Sequence, residues 1–407
     1  MLAVVMVLFF VMARIGAAAD VDVYKSGGYI YAKNSLTGAT IASGASPAND
    51  DSVLQTACNQ GGTIFVHPGT YQDISITSTN VFTLVGAGRY NTILMKPTGS
   101  TCLDLDHSMI TVENIQIKGD ANNADSSGYA IDLKYDSTDT NINNVYITDV
   151  KNGIYHSGGG CVGQTTIISG PAGGDAIVVN GTNQLWNQIV VAGNYNGGSP
   201  LRFAHGCHIQ RTGGVWFENA DFWNCAIGTH IVPPSGAEAN AIFFSGSCLG
   251  DFSGTYGMQI AGDGLVTDVH ISNSWFGSTG DKGMLIQNED ASVMIDNSVV
   301  FCAPDQLIHI TAAKLFSMSN SYVACPGWGN SGGYTTWVMA DSCDDLIMHG
   351  NTFHENWYTQ SGDVDCGFYI TNCGNVVLTS NILRDATTNL FSAGNVAVEK
   401  GHNIPAI

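Results

Sequence analysis

Residues 318–325 read MSNSYVAC, and the chain has already used almost the same phrase twice, as VHISNSWFG at 269–277 and MIDNSVVFC at 294–302. In each copy apolar residues alternate with polar ones, an Asn–Ser step follows, and the apolar run resumes. Alternation of this kind is the period of a strand, not of a helix. A second phrase, Gly-x-x-Ile, precedes it: GYAI at 128, GDAI at 174, GCHI at 206, GTHI at 228, GMQI at 257, GMLI at 283 and GFYI at 367. The copies from 206 to 283 start 22, 29 and 26 residues apart. Periods of 20–50 residues mark a solenoid, and short strands separated by Gly, Asn, Ser and Asp turns make it a β-solenoid. The expectation is an all-β parallel β-helix whose coils stack about 4.8 Å apart.

Within that architecture Asn273, Asn297 and Asn320 fall at one place in successive coils. They are expected to form an inward asparagine ladder, with side-chain amides bonding the coils above and below. Aligning DNSVVFC on SNSYVAC sets Cys302 over Cys325, and aligning ADSCDDLIMHG on ITNCGNVVLTS sets Cys343 over Cys373. Stacked residues of neighbouring coils lie at a Cα separation that a disulfide accepts, so two staples are expected. The chain has 11 cysteines, an odd number, which leaves one thiol for a neighbouring molecule or for none.

Composition agrees with a solenoid and restricts partners. Only 12% of residues are charged while 49 are glycine, a balance that suits turn-rich β structure better than a helical enzyme. The formal charge of −20 excludes nucleic acid and anionic lipid as partners and weighs against polyanionic glycans. Residues 1–19 read as an export signal: Leu2 to Met12 are apolar but too few to span a bilayer, and Ala17-Ala18-Ala19 offers a cleavage site. No later segment approaches a membrane span. The expected organisation is a signal peptide at 1–19, an N-terminal strand and capping segment at 20–60, and the β-helix at 61–407. The run NDDSVLQTACNQ at 49–60 reads as a short helix, capped by Asp51 or Ser52 and laid over the open end of the solenoid.

The stretch VYKSGGYIYAKNSLTGATIASGASPANDDSVLQTA followed by GGTIFVHPGTYQ resembles the start of exported proteins of the pectin-lyase-like superfamily, particularly archaeal ones. The stretch GVWFENADFWNCAIGTHIVPPSG resembles coils also found in phage tailspikes. The resemblance covers residues 23 to about 390 and implies a single right-handed parallel β-helix. It implies no one function, since the superfamily holds lyases, hydrolases, adhesins, tailspikes and envelope-layer proteins.

A working surface on such a fold would be the outside of one sheet. If each Ile of Gly-x-x-Ile points inward, the residue before it points out, giving Ala130, Ala176, His208, His230, Gln259, Leu285, His309 and Tyr369. His208 and His230, one coil apart, could bind a metal or act as a general base, with Arg202 and Arg211 near enough in sequence to hold a carboxylate. A polar stack on an exposed sheet explains the same pair without chemistry. Glu218, Asp221, Asp251 and Asp268 are candidate carboxylates for a hydrolase or lyase. No cofactor is required, and calcium would suit the acidic run Asp341, Cys343, Asp344, Asp345 with His349, His354 and Glu355, which also reads as a solvated turn. The superfamily's enzyme cues do not occur together as a compact Asn-x-Asp, Asp-Asp and Gly-His-Gly set, and phosphate-loop and Cys-x-x-Cys motifs are absent. Asn180-Gly181-Thr182 matches a glycosylation sequon.

The sequence by itself favours a secreted or cell-surface structural subunit of an envelope layer, sheath or fibre, self-assembling with identical copies. The alternatives are a secreted polysaccharide lyase or glycoside hydrolase, and a glycan-binding adhesin or tailspike-like module, for which Trp216, Trp223 and Trp275 would supply aromatic surface.

Overall fold

A computed structural model describes residues 19–407 except 79, 121–127, 165, 171–172, 197–198, 327–334, 355–363, 385, 395–396, 401–403 and 406–407. All but the last residue of the expected signal segment therefore lies outside the described residues. Among those described, no helix is long and apolar enough to cross a membrane.

The chain winds as a parallel β-helix with three faces. One coil runs from His205–Ile209 on the third face, through Thr212–Glu218 on the first, to Asp221–Trp223 on the second. The next coil repeats the order with Ile227–Ile231, Glu238–Ser245 and Cys248–Asp251. Alternation delivers every second side chain to the bore. On the third face Ile209, Ile231, Ile260, Ile286, Ile310, Ala340 and Ile370 stack one above another. On the first face Val215, Ile242, Val269, Val293, Phe316, Leu346 and Val376 do the same. All of these are buried, and each large aliphatic side chain so buried contributes about 1.5–3 kcal/mol. The Gly of Gly-x-x-Ile has a steric cause. A Cβ on Gly257 would lie 2.7 Å from the Gly283 carbonyl oxygen, and one on Gly283 would lie 2.7 Å from that of Leu307.

The Asn–Ser step is the corner between the first and second faces. Asn273, Asn297 and Asn320 have φ of 50°, 47° and 51°, the left-handed region that Asn tolerates better than other residues with a side chain. They stack as expected, with Asn297 Nδ2 donating to Asn273 Oδ1 at 2.6 Å and Asn320 Nδ2 donating to Asp296 Oδ1 at 2.9 Å. The stack faces outward, however, and all three residues are exposed, so the inward asparagine ladder is corrected. A left-handed residue turns the chain so that its own side chain leaves the bore and the following one enters it.

The inward ladder belongs to the serines. The amide of Ser247 donates to Ser274 Oγ at 3.2 Å, that of Ser274 to Ser298 Oγ at 3.2 Å, and that of Ser298 to Ser321 Oγ at 3.0 Å. The hydroxyls of Ser274, Ser298 and Ser321 in turn donate to the carbonyls of Ser272, Asp296 and Ser319 at 2.8, 2.9 and 2.7 Å. Asn351 and Asn381 continue the ladder, accepting from the amides of Ser321 at 2.9 Å and Asn351 at 3.0 Å.

Two further expectations change. Cys302 lies opposite Cys325 and Cys343 opposite Cys373, as the flanking pairs Phe301–Ala324 and Asp345–Asn375 require. All four are buried, and the structure joins neither pair in a disulfide. The Cys343 thiol is spent on the Asp345 carbonyl at 3.2 Å and that of Cys373 on the Thr371 carbonyl at 3.4 Å, while Cys302 hydrogen-bonds to Cys325. The helix spans Asp50–Asn59 with Asn49 as N-cap, and neither Asp51 nor Ser52 caps it. Nor is it the lid of the solenoid. The first coil's strand Gly62–Val66 is covered by Val21–Ser26, which pairs with it in parallel and with Tyr29–Asn34 antiparallel. The helix packs Val53, Leu54, Ala57 and Cys58 into the same core.

Replacing Ser298 by Ala removes a buried acceptor and leaves the Ser274 amide unpaired. The loss is expected to be about 1–3 kcal/mol, whereas Asn297→Gly, which keeps the left-handed turn, should cost much less. Denaturant unfolding of both variants checks the order; the reverse order would restore the asparagines as the inward ladder.

Candidate functional site

The outside of the third face gathers the titratable side chains. Its column runs Asp104, Asp132, Tyr155, Val178, His208, His230, Gln259, Leu285 and His309, each opposite the next on adjacent coils. The later half is as the sequence suggests. The earlier half is not, because Ile177 pairs with Cys207 instead of Ile209, a two-residue slip of the Gly-x-x-Ile phrase. Ala130 and Ala176 are consequently buried, and Asp132 and Val178 take the outward places. The same slip sets Asp175 directly opposite His205.

Asp175 is the hub of a histidine cluster. Its Oδ1 accepts from His205 Nδ1 at 2.6 Å and its Oδ2 pairs with His208 Nδ1 at 2.9 Å. The ring of His230 stacks on that of His205 with centroids 4.1 Å apart and planes 15° apart, and lies 4.9 Å from that of His208. One nitrogen of each imidazole lies within 4.8 Å of the others, so among the described residues these three form the group that could hold a metal. Burial alone would push the Asp175 carboxyl up, but the bonds from His205 and His208 outweigh it and hold the group well below the usual carboxylate range. Burial, reinforced by the neighbouring imidazoles, lowers His230 to about 3, which keeps it neutral. Its Nδ1 is buried with no partner.

Further along the strip a carboxylate pair occupies adjacent coils. Asp104 Oδ2 accepts from Lys134 Nζ at 2.8 Å. Asp132 stands opposite Asp104, and the Oδ1 of each is buried without a partner. Burial first, and the Asp104 charge second, raise Asp132 to about 6. Between pair and histidines lie Tyr155, whose hydroxyl accepts from Asn180 Nδ2 at 2.7 Å, and Tyr129, 5.2 Å away ring to ring. Burial and then the Asp175 charge push Tyr129 up to about 12. From Asp104 to His230 the strip spans five coil steps, about 24 Å at the usual strand spacing. A cleft of about 730 Å³ at the adjoining corner is lined by Asn180, Thr182, Asp136 and Arg211, among others.

Of the sequence-derived candidates, the structure brings together His208 and His230, with Arg211 in the neighbouring cleft. Arg202 precedes the same strand at the opposite corner, its Nε donating to Asn224 Oδ1 at 3.0 Å. The proposed carboxylates fall elsewhere. Glu218 ends a first-face strand, Asp221 and Asp251 are on the second face, and Asp268, with φ of 53°, interrupts the first face between Leu265–Val266 and Val269–Ser272. Asp221 hydrogen-bonds to Cys248. The acidic run is used between coils: Asp341 accepts from the Thr371 hydroxyl, Asp345 from Asn375 Nδ2 at 2.8 Å, and His349 pairs with Thr379 at 2.9 Å. Glu355 lies outside the described residues. Among those described, the run forms no cluster that could hold calcium. Trp216 is 38% exposed and stacks on Phe243, while Trp275 stacks on Phe301. His205, Asp175 and the Asp104–Asp132 pair escaped the sequence reading, because only the register reveals them.

No family model and no curated protein matches the sequence. Solved structures do match in shape. The A-module of a mannuronan C-5 epimerase of Azotobacter vinelandii is 12% identical, with TM-score 0.55, over 87% of this chain and 96% of that one. A second such A-module from the same organism is 15% identical, with TM-score 0.50, over 86% and 94%. The Dettilon tailspike protein is 14% identical, with TM-score 0.52, over 85% and 62%. These likenesses establish the right-handed parallel β-helix.

Asp132→Asn gives a test of the electrostatics. A carboxyl held at about 6 when folded and near 4 when unfolded lowers stability as pH rises from about 4 through 6. The Asn variant should therefore melt above the wild type at pH 7.5 and level with it at pH 4. Equal melting at both would show that Asp132 is solvated like an ordinary surface carboxylate.

Proposed function

We propose that this chain is a secreted glycoside hydrolase that lays a neutral polysaccharide along the outer third face. The observation that supports it is the Asp104–Asp132 pair. The two occupy adjacent coils in environments that separate their roles, one in an ion pair with Lys134 and the other raised to about 6, so that it keeps its proton about two pH units higher than an ordinary carboxyl. Strand spacing puts such a pair about 5 Å apart, the separation of a retaining mechanism. Asp132 would protonate the departing glycosidic oxygen. Asp104 would attack the anomeric carbon, and Asp132 would then take a proton from the water that releases the sugar. Tyr129, Tyr155 and Arg211 would hold neighbouring sugars. A neutral glycan is favoured over a polyuronate because the chain carries a formal charge of −20 and the strip itself adds carboxylates.

The envelope-subunit reading rested on export, low charge, the cysteines and the missing catalytic set, and the strip supports the hydrolase alternative by offering candidate groups for the last of these. The similar folds also include proteins named as a mannuronan epimerase and a tailspike, which favours the carbohydrate alternatives. Export through residues 1–19 belongs to the same proposal.

The test is a panel of neutral glucans and polyuronates read by new reducing ends and by unsaturated-product absorbance. Reducing ends without unsaturation are expected on a neutral glycan, with the rate falling about 100-fold or more in Asp104→Asn and in Asp132→Asn. Turnover that survives both substitutions would move the chemistry off this pair, and unsaturated products would make the protein a lyase.

A further inference from the structure

We propose that His205, His208 and His230 bind one divalent transition-metal ion of zinc-like character, with Asp175 as the carboxylate behind two of the ligands. Three features of the cluster carry this. The first is convergence: two coils bring one nitrogen from each of three imidazoles within 4.8 Å of one another. Three nitrogens at tetrahedral zinc distances of about 2.0–2.1 Å stand roughly 3.3 Å apart, so closure draws the rings inward and tilts the stacked His205 and His230 rings. The second is orientation. Asp175 takes the Nδ1 of both His205 and His208, which leaves their Nε2 lone pairs as the free ligand atoms. Metal-binding histidines are held in this way, by a carboxylate on the nitrogen that does not face the ion. The third is the state of His230, whose Nδ1 is buried with no partner. A buried, unpaired ring nitrogen costs free energy that a ring drawn onto a metal would recover.

The ligand set selects the ion. Three imidazoles suit zinc, copper, nickel or cobalt, whereas calcium and magnesium require oxygen donors. The cluster lies on the outer face, with the side chains of His205 and His208 19% and 16% exposed, so a fourth position opens outward to water or to an oxygen of a bound molecule. The site lies beyond Tyr155 and Val178 from the Asp104–Asp132 pair, and binding there requires no glycan turnover.

Chelator-treated protein titrated with zinc chloride in a calorimeter should bind one equivalent, and cobalt(II) should give the visible bands of a tetrahedral nitrogen site. Two variants separate ligation from folding. His230→Gln removes one ligand while placing the side chain that Gln259 already carries in the next coil, and should weaken binding about 100-fold or abolish it. Asp175→Asn keeps all three imidazoles and should weaken binding 10–100-fold, the usual effect of losing a ligand's orienting partner. Melting of each variant without metal confirms that it is folded. No saturable binding at 100-fold molar excess of zinc, or equal affinity in wild type and folded His230→Gln, would overturn the proposal. Zinc binding without glycan cleavage would leave the metal site standing and the hydrolase reading fallen; cleavage without zinc binding would do the reverse.

Discussion

Everything in this molecule depends on how one coil is bonded to the next. Backbone pairing does this along the faces, but a three-sided coil must also turn, and each turn takes amides out of the sheet. The Asn–Ser step resolves the conflict at one corner. Asn adopts the left-handed turn at little cost, and Ser then places a hydroxyl in the bore, accepting from the coil before and donating within its own. Each buried amide so paired avoids a penalty of about 1–3 kcal/mol. From Ser247 to Asn381 these corners help to hold the register in which the stacked aliphatic columns fill the bore.

Register also makes the site. Outward residues of the third face contribute nothing to the core, so chemistry can collect there without disturbing packing. A parallel β-helix sets residues 20–30 positions apart in sequence on a line with about 4.8 Å between them. Asp104 and Asp132, or Asp175 and His205, become neighbours through this arithmetic alone. Flanking rows reduce solvation, and burial is the first cause of the raised Asp132 and Tyr129 and of the lowered His230.

The solenoid, its strand order and the His208–His230 adjacency were legible in the sequence, because period and phrase are local signals. The direction of the corner side chains was not. Asn297 and Ser298 are adjacent, and only the left-handed φ decides which of them enters the bore. The slip between Ile177 and Cys207 was equally hidden: the loop before His205 is longer than its counterparts, and phrase matching aligned Ile177 with Ile209. That error concealed Asp175 as the partner of two histidines and placed buried Ala130 and Ala176 on the surface. Cysteine stacking was read correctly, yet stacking alone does not make a bond.

The central claim is that the outer third face, from Asp104 to His230, is the surface that meets a ligand. Hydroxyl-radical footprinting with and without neutral oligosaccharides, read by mass spectrometry, tests it directly. The account predicts protection of Tyr129, Tyr155, His205, His208 and His230, with Trp216, Trp223 and Trp275 unchanged. Protection of the tryptophans with the tyrosines and histidines unaffected would place the working surface on the other faces and contradict the account.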